Sequence, residues 1–312
     1  MSADVDAVSA PGPGPPKGAT VAATELFEAN RGHVFGVAYR MLGSVAEAED
    51  VVQDTWLRWR DVDASVIRSP RAYLGTVAGR IALDRLKSAR AQREAYVGPW
   101  LPEPLVTDAA TDPAAHADTA DSLTFGFLCV LERLDPLERA VFLLREVFSY
   151  PYGEVAAVVG RSDAACRQIA HRARARVADE QRRAARRGTV DRAKAQQIVS
   201  ALVAATVAGD VDGVQRLLAE QIVLVSDGGA DTHAARRPVV GRHRVSRLII
   251  NLAARVPRGA SVDPLWSNGD PAMLFRDASG APLLLIAFTA GDATVEAIHA
   301  VVNPAKLAHL AR

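Results

Sequence analysis

The stretch from Pro151 to Val177 leaves this chain the fewest choices. Pro151-Tyr152-Gly153-Glu154 opens a short helical pattern through Val155, Val158 and Val159. Gly160 follows where a helix needs a left-handed stop, and Ser162 stands at the N-cap of the next helix. That second helix puts Cys166, Ile169, Ala170, Ala173 and Val177 inward and turns Arg167, Gln168, His171, Arg172 and Arg174 away. Two helices joined by a glycine turn, with small inward residues and a basic free face, predict a helix-turn-helix. Arg and Gln on the free face are side chains that reach base edges in a major groove. The charge distribution agrees. The net charge is only +1, yet Arg161, Arg167, Arg172, Arg174, Arg176, Arg182, Arg183, Arg186 and Arg187 crowd one segment, opposed there by Asp163, Asp179 and Glu180. A local basic stretch matters more for nucleic acid than the whole-chain sum.

Helical periodicity also fills the chain upstream, from about Thr24 to Glu94. Ser44-Val45-Ala46-Glu47 reads as a capping box. The helix it opens places Val45, Ala48, Val52, Trp56 and Trp59 on one face, with Glu49, Asp50, Gln53 and Asp54 off it. Ser69-Pro70 starts another helix, with Ser as N-cap and Pro at the first helical position. Its apolar residues are Tyr73, Leu74, Val77 and Ile81; Arg71, Arg80, Arg85, Lys87, Arg90 and Arg93 make it basic, a surface able to grip phosphates. A second helical block runs from about Thr119 to Arg187, and within it Asp135-Pro136-Leu137-Glu138 opens a helix with a cap and Pro at its first position. Between the blocks lies the Pro-rich stretch from Gly98 to Pro113, containing Trp100-Leu101-Pro102-Glu103-Pro104. Each Pro there disfavours helix at itself and at the residue before it, so a linker is expected.

A third block begins near Asp191. Arg192 to Ala208 predicts a helix with Ile198, Leu202, Ala205 and Val207 as apolar candidates, broken by Gly209-Asp210. A short helix from Val211 to Leu218, a strand from Gln221 to Ser226 ending in Asp227-Gly228-Gly229, and a helix from Val245 to Val256 follow. Strands are expected at 261–266, 272–275, 283–289 and 294–302, with turns at Asn268-Gly269 and Ser279-Gly280. Helices followed by an antiparallel sheet make an α+β unit.

Several classes are excluded or disfavoured. The first residues, Pro- and Gly-rich, lack the basic and apolar regions of a signal peptide, and no apolar run has membrane-spanning length; a cytoplasmic protein with no membrane contact is expected. Cys129 and Cys166 are far apart and read as small buried hydrophobes. No residues stand at metal-ligand spacing, and no cofactor is expected. Asp227, Asp263, Glu296 and His299 are candidate general bases in the third block, but they form no dedicated motif, so catalysis is not expected.

The run Glu49-Asp50-Val51-Val52-Gln53-Asp54-Thr55-Trp56-Leu57-Arg58-Trp59 resembles region 2.2 of the extracytoplasmic-function (ECF) sigma factors of bacterial RNA polymerase. Arg71-Ala72-Tyr73-Leu74 through Ala82-Leu83-Asp84-Arg85-Leu86 resembles their regions 2.3 and 2.4. Leu134 to Phe148 resembles the start of region 4, and Tyr152-Gly153-Glu154-Val155-Ala156 through His171-Arg172-Ala173-Arg174 resembles region 4.2. Trp100-Leu101-Pro102-Glu103-Pro104, Asp227-Gly228-Gly229 and Asn303-Pro304-Ala305-Lys306-Leu307 look like signatures of the subgroup with a fused SnoaL-like tail. The resemblance implies a multidomain chain: a tail over 1–22, an all-α region 2 over 23–95, a linker over 96–118, an all-α region 4 over 119–187, and an NTF2-like α+β cone over 191–312. It implies polymerase binding, to the β′ clamp and β flap, with Glu49, Asp50, Gln53 and Asp54 on the clamp side. Promoter DNA would meet Arg71, Tyr73, Arg80, Arg85 and Lys87 at the −10 element and Arg167, Gln168, His171, Arg172 and Arg174 at the −35 element. Arg80 stands where many members have Asn, so the −10 preference does not carry over; Ala230 stands where the subgroup often has a third Gly. Trp100, Pro102, Glu103, Asp227, Gly228, Gly229, Asn303, Pro304 and Lys306 are expected to join the third domain to the others and regulate them in cis. An unknown small ligand in the C-terminal pocket is a further candidate partner. The alternative is a helix-turn-helix regulator fused to a ligand-binding or isomerase-like domain.

Overall fold

The computed structural model describes residues 17–106, 124–187, 191–230 and 232–311, with side chains described except at 17–20, 89–94 and 179–187. The tail over 1–16, the linker over 107–118, the start of the second block at Thr119, and the side chains of Arg90, Arg93, Arg182, Arg183, Arg186 and Arg187 lie outside the described residues.

Three helices form the first unit: α1 (Lys17–Leu42), α2 (Val45–Trp59) and α3 (Pro70–Glu94). Helix α1 begins at Lys17, so the expected tail to residue 22 is too long by most of two turns. The last proline of the tail is Pro16, and proline is tolerated just ahead of or within the first turn of a helix. Ser44 caps α2, its Oγ accepting from Glu47 N–H at 3.2 Å. The α2 stripe is buried at Ala48, Val51, Val52, Thr55 and Trp59, against Val34, Val37 and Leu42 of α1 and Leu74 and Ile81 of α3. Trp59 is fully buried and satisfies its indole N–H on the Ala23 carbonyl at 2.8 Å.

The second unit contains α4 (Phe125–Leu131), α5 (Pro136–Phe142) running into a π-turn (Leu143–Val147), α6 (Tyr152–Val159) and α7 (Asp163–Arg187). Asp135 and Glu138 complete a capping box at α5, and Gly160 adopts φ +66° between α6 and α7. Cys166, Ile169, Ala170, Ala173 and Val177 are all buried, as their spacing predicts. They belong to the same continuous core as the α1–α3 residues. The two helical units therefore lie closed on each other.

The third unit is α+β. Helices α8 (Arg192–Ala208) and α9 (Val211–Leu217) lead into β1 (Leu218–Asp227), β2 (Val239–Val240), α10 (Arg242–Ala253), β3 (Ser261–Ser267), β4 (Asp270–Arg276), β5 (Pro282–Ala290) and β6 (Val295–Val301), and α11 (Pro304–Leu307) follows. Strand order is β2-β1-β6-β5-β4-β3. One expectation fails: the sheet is mixed, because β1 pairs with β6 in parallel. The intervening α10 and four strands carry the chain back so that the two strands run the same way. Val207, expected in the core, is 78% exposed, since it lies on the far side of α8 from Val199 and Leu202. The sheet alternates as strands must. Phe288 and Ile286 face the helices with Val199, Leu202, Val214 and Val245; Leu285 and Ala287 face the opposite way, packing with Leu101 and Phe125. Thus the linker and the start of the second unit cover the second face. No helix among the described residues is long and apolar enough to cross a membrane.

Candidate functional site

Residues 96–106 form the joint between all three units. Asp227, at the end of β1, is fully buried. Its Oδ1 accepts from Tyr96 Oη at 2.5 Å and Gly229 N–H at 3.2 Å; its Oδ2 accepts from Leu101 N–H and from Lys306 Nζ, each at 2.7 Å. Lys306 is 6% exposed and also donates to the Leu101 carbonyl. Its ammonium lies 3.9 Å from the centroid of the Trp100 ring and 5.0 Å from that of Tyr96. Asn303 donates through Nδ2 to Tyr96 Oη at 2.7 Å and caps α11 through Oδ1, while Pro304 occupies the first, exposed position of that helix. Gly229 has φ +64°, and a Cβ there would come within 2.8 Å of Asn303 Nδ2. A Cβ on Gly228 would meet the Thr232 carbonyl at 2.7 Å, so both glycines are required by close approach. Burial, then the hydrogen bond to the Asp227 carboxylate, raises the Tyr96 phenol well above its ordinary pKa; it stays a donor.

The other side of the same segment grips the first unit. Glu103 Oε2 accepts from Val45 N–H at 2.6 Å and Oε1 from Ser44 Oγ at 2.9 Å. A carboxylate at a helix N-terminus meets unpaired amides and the positive end of the dipole. Pro102 is buried, and the Trp100 ring sits where a Cβ on Gly43 (φ +68°) would come within 2.6 Å. Tyr39 of α1 donates to the Glu103 carbonyl at 2.7 Å and accepts from Asn268 Nδ2 at 2.6 Å. Asn268 completes the link by accepting from Leu105 N–H at 2.9 Å.

The residues expected at this joint meet in it directly except Pro304, which is exposed, and Gly228, which packs on Thr232 and Ala234 of its own loop. Tyr39, Tyr96, Leu101, Asn268 and Phe125 were missed. Of these, Asn268 carried a usable signal, since Asn-Gly marks a tight turn; its buried side chain did not.

The clamp-side candidates share one face of α2. Gln53 and Asp50 are exposed; Glu49 pairs with Arg31, and Asp50 and Asp54 pair with Arg85 at 3.1 Å and 2.7 Å. Those pairs tie a −10 candidate to two polymerase candidates. Arg71 and Lys87 are exposed, and Tyr73 is half-buried against Trp59. Arg80 donates to the Ala157 carbonyl at 2.8 Å through Nη2, so the second unit occupies it. Along α7, Arg167, Gln168, His171 and Arg172 are exposed. Arg174 differs: it binds Glu146 and Tyr152 Oη, both at 3.1 Å, and belongs partly to the fold. Arg139, 1% exposed, donates to the Arg40 carbonyl through Nε and Nη2 at 3.0 and 2.8 Å, satisfying the end of α1 from the second unit.

Apolar side chains pack between the helices and the sheet of the third unit. A cavity of about 170 Å³ opens beside the joint, lined by Gly98, Pro99, Ser226, Gly228, His233 and Arg236 among others. Asp227 is closed off by its partners, Asp263 pairs with Arg276 at 3.0 Å, and His299 stacks on Phe125.

Two helical units of this kind, one with an acidic face and one with a basic helix-turn-helix, define a transcription initiation factor of the sigma-70 type. Residues 26–92 match the family model for Sigma-70 region 2, and residues 125–177 match that for Sigma-70, region 4. The ECF RNA polymerase sigma factor SigJ of Mycobacterium tuberculosis is 45% identical over 234 residues, covering 75% of this chain and 74% of that one. The probable ECF RNA polymerase sigma factor SigI from the same species is 32% identical over 90% of this chain and 93% of its own. The crystal structure of the Mycobacterium tuberculosis SigJ superposes with a TM-score of 0.72 at 38% identity, covering 91% of this chain and 98% of that chain. The chain belongs to the ECF RNA polymerase sigma factor family. Its class of function is promoter-directed transcription initiation with core RNA polymerase, and sigma factors are generally not enzymes.

Proposed function

We propose that α2 docks on the β′ clamp of RNA polymerase through Glu49, Asp50, Gln53 and Asp54, that region 4 engages the β flap, and that the chain works in the cytoplasm. In this reading α3 contacts the −10 element through Arg71, Tyr73, Arg80, Arg85 and Lys87, and α7 reads the −35 element through Arg167, Gln168, His171 and Arg172. Arg174 supports that helix from behind. The NTF2-like third unit controls this activity in cis. The observation that carries the reading is the double grip on 100–105: Glu103 caps region 2, while Asp227 and Lys306 hold Leu101. A unit that holds the linker fixes the reach between the two DNA-binding units, and tethering makes such contact easy. We place any small ligand in the cavity at 226–236, where binding would bear on the same joint.

The test is runoff transcription on a randomised promoter library. Holoenzyme is reconstituted with the full chain, a chain ending at residue 190, and Asp227→Ala. Promoter-dependent transcripts that change strongly on truncation support the reading. Equal output from all three makes the third unit a passenger. No promoter-dependent transcript from any of them favours the helix-turn-helix regulator instead.

A further inference from the structure

The closed contact between regions 2 and 4 contains a seat for one side chain. Gly75 and Gly79 lie one turn apart on α3, facing region 4. Leu144 and Val158 cover Gly79; Tyr150, from the segment before α6, covers Gly75. A Cβ at position 75 would lie 1.9 Å from the Tyr150 hydroxyl oxygen and 2.8 Å from His33 Nε2. The hydroxyl itself is 2.8 Å from His33 Nε2. The Arg71 carbonyl is its second neighbour, at 3.5 Å. His33 is on α1, so this one tyrosine touches two helices of region 2 from region 4. The imidazole is further enclosed by Phe148, edge-on at a centroid distance of 5.5 Å.

The charged groups around this seat have one dominant sign. Arg71 of α3 and Arg40 of α1, both in region 2, bear on His33; Arg71 and, from region 4, Glu154 bear on Tyr150. A second proton on the ring would be buried and would face two guanidinium groups. We infer that Tyr150, seated at Gly75 against His33, is a proton-sensitive latch between regions 2 and 4, and that mild acid, by charging His33, favours the separated arrangement. Separation frees Arg80 from the Ala157 carbonyl and bares the basic face of α3. The functional weight of the latch rests on the reading of that face as a −10 contact; the latch itself does not.

The direction follows from linkage. Burial first, then Arg71 and Arg40, pushes His33 down to about 4 in the closed chain. In the separated chain the burial by Tyr150 and Phe148 is lifted while Arg71 and Arg40 stay beside the ring, so His33 rises toward the ordinary value of about 6.5 without passing it. The contribution to closure is complete above the separated value and is lost as pH falls from there toward the closed value. Between pH 7.5 and 5.5 the ratio of closed to separated chain falls, by at most about tenfold.

Single-molecule energy transfer on the full chain reads this, with dyes on unnatural amino acids at positions 60 and 161, both exposed. The wild-type separated fraction rises relative to the closed fraction from pH 7.5 to 5.5, by at most about tenfold. His33→Gln keeps a hydrogen-bonding side chain that does not titrate, and it abolishes that slope. Gly75→Ala unseats Tyr150 and raises the separated fraction at pH 7.5, although Ala is the better helix former. A flat wild-type profile, an unchanged slope in His33→Gln, or an unchanged closed fraction in Gly75→Ala overturns the latch. Promoter-directed transcription at pH 7.5, measured on the wild type, reads the sigma-factor function separately.

Discussion

The contact between regions 2 and 4 and the contact between the linker and the third unit bury different things. The first is an apolar core shared by two helical units, joined by Arg80 on Ala157 and Tyr150 on His33 and by one buried guanidinium, Arg139, on the Arg40 carbonyl. The second buries a full ion pair, Asp227 and Lys306, together with the backbone of Leu101. An apolar face tolerates exchange of one partner for another, because its attraction is not directional. A buried ion pair does not, because either charge alone is strongly penalised. The difference suits a chain that must leave the first contact to bind a polymerase while keeping hold of its linker by the second.

The sharpest way to break that contrast is Lys306→Met. It leaves the Asp227 carboxylate buried with no cation and is expected to cost about 3–5 kcal/mol in urea unfolding of the full chain. Asp227→Asn combined with Lys306→Met recovers much of that loss; a single-variant cost below about 1 kcal/mol would mean the pair is not what holds the joint. Arg167→Ala touches neither contact. It is expected to lower −35 affinity by about 1–3 kcal/mol and relax one promoter position, with closure unchanged. Binding measured across promoter variants checks this, and a uniform loss would reassign Arg167 to phosphate. Glu103→Ala removes the carboxylate at the start of α2 and costs about 1–2 kcal/mol, visible as faster amide exchange at Val45. Arg80→Ala is the mildest: one hydrogen bond at the margin of the apolar contact, about 0.5–1.5 kcal/mol of closure by energy transfer. A larger effect would make that contact more polar than its core suggests.

Local signals made much of this legible. The stripe from Cys166 to Val177, the Asp135 capping box and the helix from Arg192 to Ala208 depend on neighbours within a turn or two, and they appear where the residues place them. The three short motifs of the joint were recognisable as a set through their family resemblance. What stayed hidden was long-range pairing. Asn268 meets Tyr39 across 229 residues and Tyr96 meets Asp227 across 131, and no periodicity encodes such partners. The Pro-rich stretch misled in a different way. Proline forbids helix but does not forbid order, and Pro102 and Pro104 are buried.

The parallel pairing of β1 with β6 has a topological consequence. Ser226, Asp227 and then the glycines leave the sheet beside Ala300 and Val301, with the amides of Val302 and Asn303 both returning to the Asp227 carbonyl. Two loops distant in the chain thus exit side by side, in one direction, at one mouth. Had the strands been antiparallel, Asp227 and Lys306 would stand at opposite ends of the sheet. Recognition of the linker is therefore confined to two adjacent strand ends, which makes it portable. Exchanging those two loops and residues 96–105 as one cassette should transplant the joint between family members without redesigning either sheet face.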